Sequence, residues 1–135
     1  MDLLEQFQSL SQEKEIRDFQ LYSFRGSRLI VTGSRDHAYY HQIELHLENT
    51  KYLSIPIEFS NPEFRYADED EYERIRRIVE LENQDLIIHI EAETAAALDP
   101  LHFYIVAQSM SINSDLVYHY ERENLQEGER IAPEF

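Results

Sequence analysis

Leu3, Leu4, Phe7 and Leu10 recur at helical spacing, which predicts a short amphipathic helix over residues 2–13. The period then shortens. From Ile16 to Phe59 the β-branched and aromatic content rises, and turn signals divide the stretch into four strands. In Arg25-Gly26-Ser27-Arg28, glycine holds the first central position of a II′ turn, so a tight hairpin should join strands at 17–24 and 28–34. Residues 41–48, HQIELHLE, alternate: Ile43, Leu45 and Leu47 form a core row, while Gln42, Glu44, His46 and Glu48 face solvent. Residues 52–59, YLSIPIEF, bring Leu53, Ile55, Ile57 and Phe59 to one face. A three-residue loop, Asn49 to Lys51, would pair Leu47 with Leu53 and Leu45 with Ile55, whereas a two-residue turn would send the rows to opposite faces. In that register Pro56 lies opposite Glu44, which suits a strand with an open edge.

The segment DEDEYERIRRI, residues 68–78, reads as helix chemistry. Asp68 to Glu71 occupy a first turn, where the positive end of the helix dipole favours carboxylates. Tyr72, Ile75, Ile78 and Val79 supply the apolar stripe, and Asp70 with Arg74 and Glu73 with Arg77 are acid-first i,i+4 pairs. This helix should stop near Leu81. A fifth strand follows at 85–93 with Leu86, Ile88, Ile90 and Ala92 on its core row, then a turn at 94–100, strands at 101–112 and 115–123, and a loose tail at 124–135. The order predicts a single α+β domain over 1–135, with about seven mostly antiparallel strands in a curved sheet or partly open barrel. It has an N-terminal helix and one main helix inserted after the fourth strand.

Composition adds two constraints. The 135 residues include no cysteine, which removes thiolate chemistry and disulfides and fits a reducing compartment, and only three glycines, too few for a phosphate-cradling loop. Acids outnumber bases 27 to 12, a net charge of −15 that repels nucleic acid and anionic membranes and attracts a basic partner. Asp2 and Glu5 stand where a signal peptide would be basic, and no apolar run approaches membrane-spanning length, so the expectation is a cytoplasmic protein. None of this sets an oligomeric state.

Candidate chemistry is sparse. Glu91 and Glu93 share a strand face, as an acid and base might, but such pairs arise readily among 27 acids. If Asn113-Ser114 is a two-residue turn, His119 faces Gln108, and His102, His119 and Glu121 share a face that could hold zinc. His41 and His46 fall on opposite faces of one strand and should not converge. Arg65, Arg74, Arg76 and Arg77 form a cationic cluster expected to pair internally with Asp70, Glu73 and Glu80. Tyr39, Tyr40, Tyr52 and Tyr66 are candidates for a partner-binding face, since tyrosine offers large area with a polar tip. The leading expectation is a non-enzymatic, acidic protein-interaction module that presents tyrosines to a basic protein and needs no cofactor. Its alternatives are a small-molecule binder using the hollow of the curved sheet and, third, a metal-dependent enzyme on the histidine face.

Overall fold

The structure is a computed structural model, which describes residues 2–133. Helix α1, Leu3–Glu13, begins where Asp2 caps it, its carboxylate accepting the Glu5 N–H at 2.9 Å. Its apolar stripe, led by the fully buried Leu4 and Phe7, faces the sheet.

That sheet has eight strands: β1 (Asp18–Arg25), β2 (Arg28–Ser34), β4 (Ile43–Glu48), β5 (Tyr52–Leu53), β6 (Glu58–Tyr66), β7 (Leu86–Glu93), β8 (Leu101–Ala107) and β9 (Ser109–Asn113). Their order is β5-β8-β7-β6-β1-β2-β4-β9, every pair antiparallel. The order has two ends, yet the chain draws them together. β8 runs into β9 across Gln108, and β4 into β5 across residues 49–51, so that 104–113 runs antiparallel beside 44–54. The sheet therefore curls around α1. Phe7 meets Phe19 and Phe64 inside, with ring centroids 5.9 Å and 5.2 Å away respectively. Phe19 in turn stacks on Phe59, the centroids 5.9 Å apart, and such tilted and stacked pairs add to the stabilisation from buried area. A second sheet, ordered β11-β10-β3, unites β3 (Tyr40–His41), β10 (Leu116–Tyr118) and β11 (Glu129–Ile131), with β10 and β11 parallel.

Two glycines act locally. Gly26, at φ 63°, turns the β1–β2 hairpin, in which Arg25 pairs with Arg28 as expected; a positive φ at this position is what glycine tolerates and other residues resist. Gly33 lets strand and core close up, since a Cβ there would sit 2.6 Å from Phe19 Cε1 and 2.9 Å from Ile43 Cγ2.

Several expectations are corrected. The hairpin of 41–48 with 52–59 does not form. β4 is almost wholly buried and takes β2 and β9 as neighbours, while Asn49, at φ 52°, kinks the chain onward and not back. Leu45 and Leu47 are buried as expected, but Ile55 is only half-buried and Ile57 is 74% exposed. The strand expected at 52–59 is two pieces, and the second runs past Pro62 to Tyr66. A bulge between Ser60 and Glu63, with Asn61 at φ 49°, takes the proline out of the ladder, as a residue without an N–H to donate requires.

Helix α2, Glu69–Ile75, ends earlier than Leu81 and packs on the outer face of the sheet, where Ile75 meets Ile87 and Val106. The expected i,i+4 pairs are replaced: Glu73 pairs with Arg76 at 2.8 Å, and Arg74 donates to Tyr104 Oη at 3.3 Å. The predicted strand 101–112 breaks at Gln108, and 115–123 shortens to β10, which joins the small sheet and leaves β8 to β7 and β5. The tail predicted loose contains β11, and Ala132 beyond it is buried. Glu134 and Phe135 lie outside the described residues.

Candidate functional site

All six histidines join one of two networks, each centred on a buried glutamate that an arginine from another element neutralises. The first hub is Glu71. Its side chain closes a capping box: Oε1 accepts the Asp68 N–H at 2.9 Å, and Asp68 Oδ1 accepts the Glu71 N–H at 2.9 Å, so two helix-end donors are satisfied reciprocally. The β6–β7–β8 register sets Arg65, His89 and Tyr104 in one row beneath it. Arg65 grips both carboxylate oxygens, Oε1 at 2.6 Å and Oε2 at 3.3 Å. Tyr104 Oη donates to Oε2 at 2.7 Å. Forked pairing of this kind is among the stronger polar contacts a protein makes. Burial alone would raise the Glu71 pKa, but these donors bring it down to about 2 because each favours the charged form. His89 is buried and bonded through Nε2 to His102 Nδ1 at 2.7 Å, and its Nδ1 has no partner. Burial first, and the Arg65 charge second, lower the His89 pKa and keep the ring neutral.

The second hub is Glu44, 3% exposed. A break at Gln42 between β3 and β4 rotates His41 relative to the strand that follows, so His41 and His46 both reach this carboxylate, His41 Nε2 at 2.6 Å and His46 Nε2 at 2.7 Å. The expectation that these two histidines stay apart is thus wrong, because it assumed one unbroken strand from 41 to 48. Arg130 Nη2 of β11 donates to Oε2 at 2.7 Å, and its Nε to Asp115 at 3.3 Å. Burial would raise the Glu44 pKa, but the hydrogen bonds of His41 and His46 and the Arg130 charge hold it well below the usual carboxylate range. His41 Nδ1 shares a 2.8 Å hydrogen bond with His119 Nε2, and His119 Nδ1 reaches the His37 carbonyl at 3.1 Å.

Two adjoining clefts open beside this network. One, of about 650 Å³, lies between the end of α1 and the start of β1. The other, of about 800 Å³, has Phe19, Phe59, Pro56, Ile57, Ala95 and Ala96 as apolar lining. Asp18, Asp36 and Glu58 carry negative charge at its walls, against Arg35, which lines both clefts. His37 also lines the larger cleft, and burial, followed by the charge of His41, pushes its pKa down to about 4, since both disfavour the imidazolium.

The candidates from the sequence scatter. His102 and His119, offered as zinc ligands with Glu121, sit in different networks, His102 on His89 and His119 on His41, because the β8–β10 pairing that would have united them does not exist. Glu121 is exposed in the segment after β10. Among the described residues no group of three or more His, Cys, Asp or Glu side chains is spaced to hold a metal ion. Tyr39, 60% exposed, follows the turn that carries Asp36 and His37, and Tyr40 begins the small sheet. Tyr52 packs toward Ile75 and Val106, and Tyr66 ends β6, so the four tyrosines occupy separate elements. Of the arginine cluster, Arg76 pairs with Glu73, in line with the expected internal pairing, while Arg65 and Arg74 meet around Glu71 and Tyr104. The acid-walled cleft escaped sequence reading because strand ends and loops distant in the chain build it. No helix among the described residues is long and apolar enough to cross a membrane. No family model, curated protein or solved structure matches the chain.

Proposed function

We propose that the protein is a non-enzymatic interaction module that takes a basic, partly apolar segment of a protein partner into the larger cleft. The observation that carries this reading is the cleft itself, an apolar floor under three carboxylates and one arginine on a chain of net charge −15. Apolar area holds a docked segment, while the acidic walls select lysine and arginine over acidic competitors. Tyr39, on the adjoining turn, extends the contact surface.

Two further features favour binding over catalysis. The oxygens of Glu44 and Glu71 are occupied by donors from the protein, which leaves neither carboxylate placed to exchange a proton with a substrate. The hollow of the sheet, where a small-molecule binder would hold its ligand, is filled by Leu4, Phe7 and the phenylalanines around them.

The test is titration of the labelled protein with a short peptide alternating lysine and leucine. Amide signals of Ile57, Ala95 and Ala96 should move first, and a glutamate–leucine peptide should move none of them. Equal response to both peptides, or shifts centred elsewhere, would remove the reading.

A further inference from the structure

We propose that His41 and His119 form a proton-counted latch that fastens the C-terminal strands to the main sheet and, through His37, sets the wall of the larger cleft. The proton count follows from the acceptors around the pair. His119 Nδ1 lies 3.1 Å from the His37 carbonyl oxygen, which can only accept, so this nitrogen bears a proton. His41 Nε2 lies 2.6 Å from a Glu44 oxygen that also accepts from Arg130, so it bears one too. Between the rings, His41 Nδ1 and His119 Nε2 lie 2.8 Å apart and share one proton. Two imidazoles with three ring protons carry one positive charge, whichever ring holds it.

That count is the only one the geometry accepts. A fourth proton sets N–H against N–H between the rings and adds a second cation beside Arg130. Removing the third proton takes away a donor. The latch should therefore hold in a window of pH and fail on both sides of it.

The groups facing the pair are Glu44 and His46 on β4, Arg130 on β11 with Asp115 beyond it, and His37 on the turn after β2, itself near Asp18. The Tyr22 ring of β1 lies against both imidazoles, its centroid 5.1 Å from that of His41 and 6.1 Å from that of His119.

Beside the pair, the C-terminal strands are held by Arg130 on Glu44 and by a short ladder. β10 meets β3 through two residue pairs, Val117 with His41 and Tyr118 with Tyr40, and β11 pairs with β10. The same hydrogen-bonded path ends at His37, whose ring reaches Thr32 Oγ1 at 3.3 Å and lines the cleft. The consequence for partner binding rests on the cleft reading above.

Ring nitrogen spectra of the full chain, with amide exchange followed from neutral pH to about pH 5, test the latch without any partner. At neutral pH, His41 and His119 together should show three protonated nitrogens. As a fourth appears, the Val117, Tyr118 and Ile131 amides should lose protection and the Asp36 and His37 amide signals should shift, while Ile88 and Ile90 stay protected. His119→Gln, which keeps a donor and an acceptor but cannot titrate, should abolish that transition. If this variant does not fold, the wild-type titration decides alone. Two or four ring protons at neutral pH, or protection lost together with Ile88 and Ile90, would overturn the proposal. The lysine–leucine peptide should bind more weakly through the same transition. A peptide that binds at no pH removes the cleft function and the link to it, while the proton count and exchange still judge the latch.

Discussion

Replacing Glu71 by glutamine tests the most concentrated interaction in the fold. In the native protein the carboxylate titrates at about 2 against a usual 4.5, a gap that corresponds to about 3 kcal/mol of stabilisation of the charged form. The partially exposed Arg65 is screened by solvent, which lowers the expected loss in Glu71→Gln to about 2–3 kcal/mol at neutral pH. The sign follows from the depressed pKa. Stability from Glu71 is complete above 4.5 and is lost as pH falls from there through about 2. Urea unfolding of both proteins over a pH series isolates this group, because Glu44, also depressed, is common to both chains and cancels in the difference. The difference should be largest at neutral pH and shrink toward zero near about pH 2. A difference that stays constant across the series, or below about 0.5 kcal/mol at neutral pH, would refute the assignment of Glu71 as an ionised hub.

Further outcomes concern the core. Leu45 is fully buried and Ile55 only half-buried. Leu45→Ala should therefore cost about 2–5 kcal/mol in denaturant unfolding and Ile55→Ala only about 1 kcal/mol, and equal losses would contradict the half-buried placement of Ile55 at the margin of the core. Gly33→Ala should cost about 1–3 kcal/mol in the same measurement, because the added methyl meets Phe19 and Ile43 at less than contact distance. A neutral effect there would mean that the two side chains move aside.

Local pattern made the elements legible more than their neighbours. The helix beginning near Leu3, the Gly26 hairpin and the core rows Ile43–Leu45–Leu47 and Ile88–Ile90–Ala92 were readable because each depends on residues close in sequence. Strand partners were not. Residues 41–59 offered a plausible hairpin, and nothing local reveals that residues 104–113, far along the chain, compete for its edge. Glu71 looked like one of several first-turn acids; its burial arises from Arg65 and Tyr104 on two strands beneath α2. Glu44 falls on the polar row of a sound alternation, and the small sheet that covers it is built from β3, β10 and a tail expected to be loose. A period-two pattern distinguishes the two faces of a strand, but it cannot say whether the polar one will be covered.

Reversing the charge of the larger cleft's acidic walls tests whether they select a basic partner. In Asp36→Lys/Glu58→Lys, the association rate and affinity for the lysine–leucine peptide would be measured beside the wild type across a salt series. Wild-type association should slow as salt screens charge beyond about 8–10 Å, and the variant should lose that binding and gain binding to the glutamate–leucine peptide. Unchanged affinity and salt dependence in a variant with wild-type stability would contradict that selection.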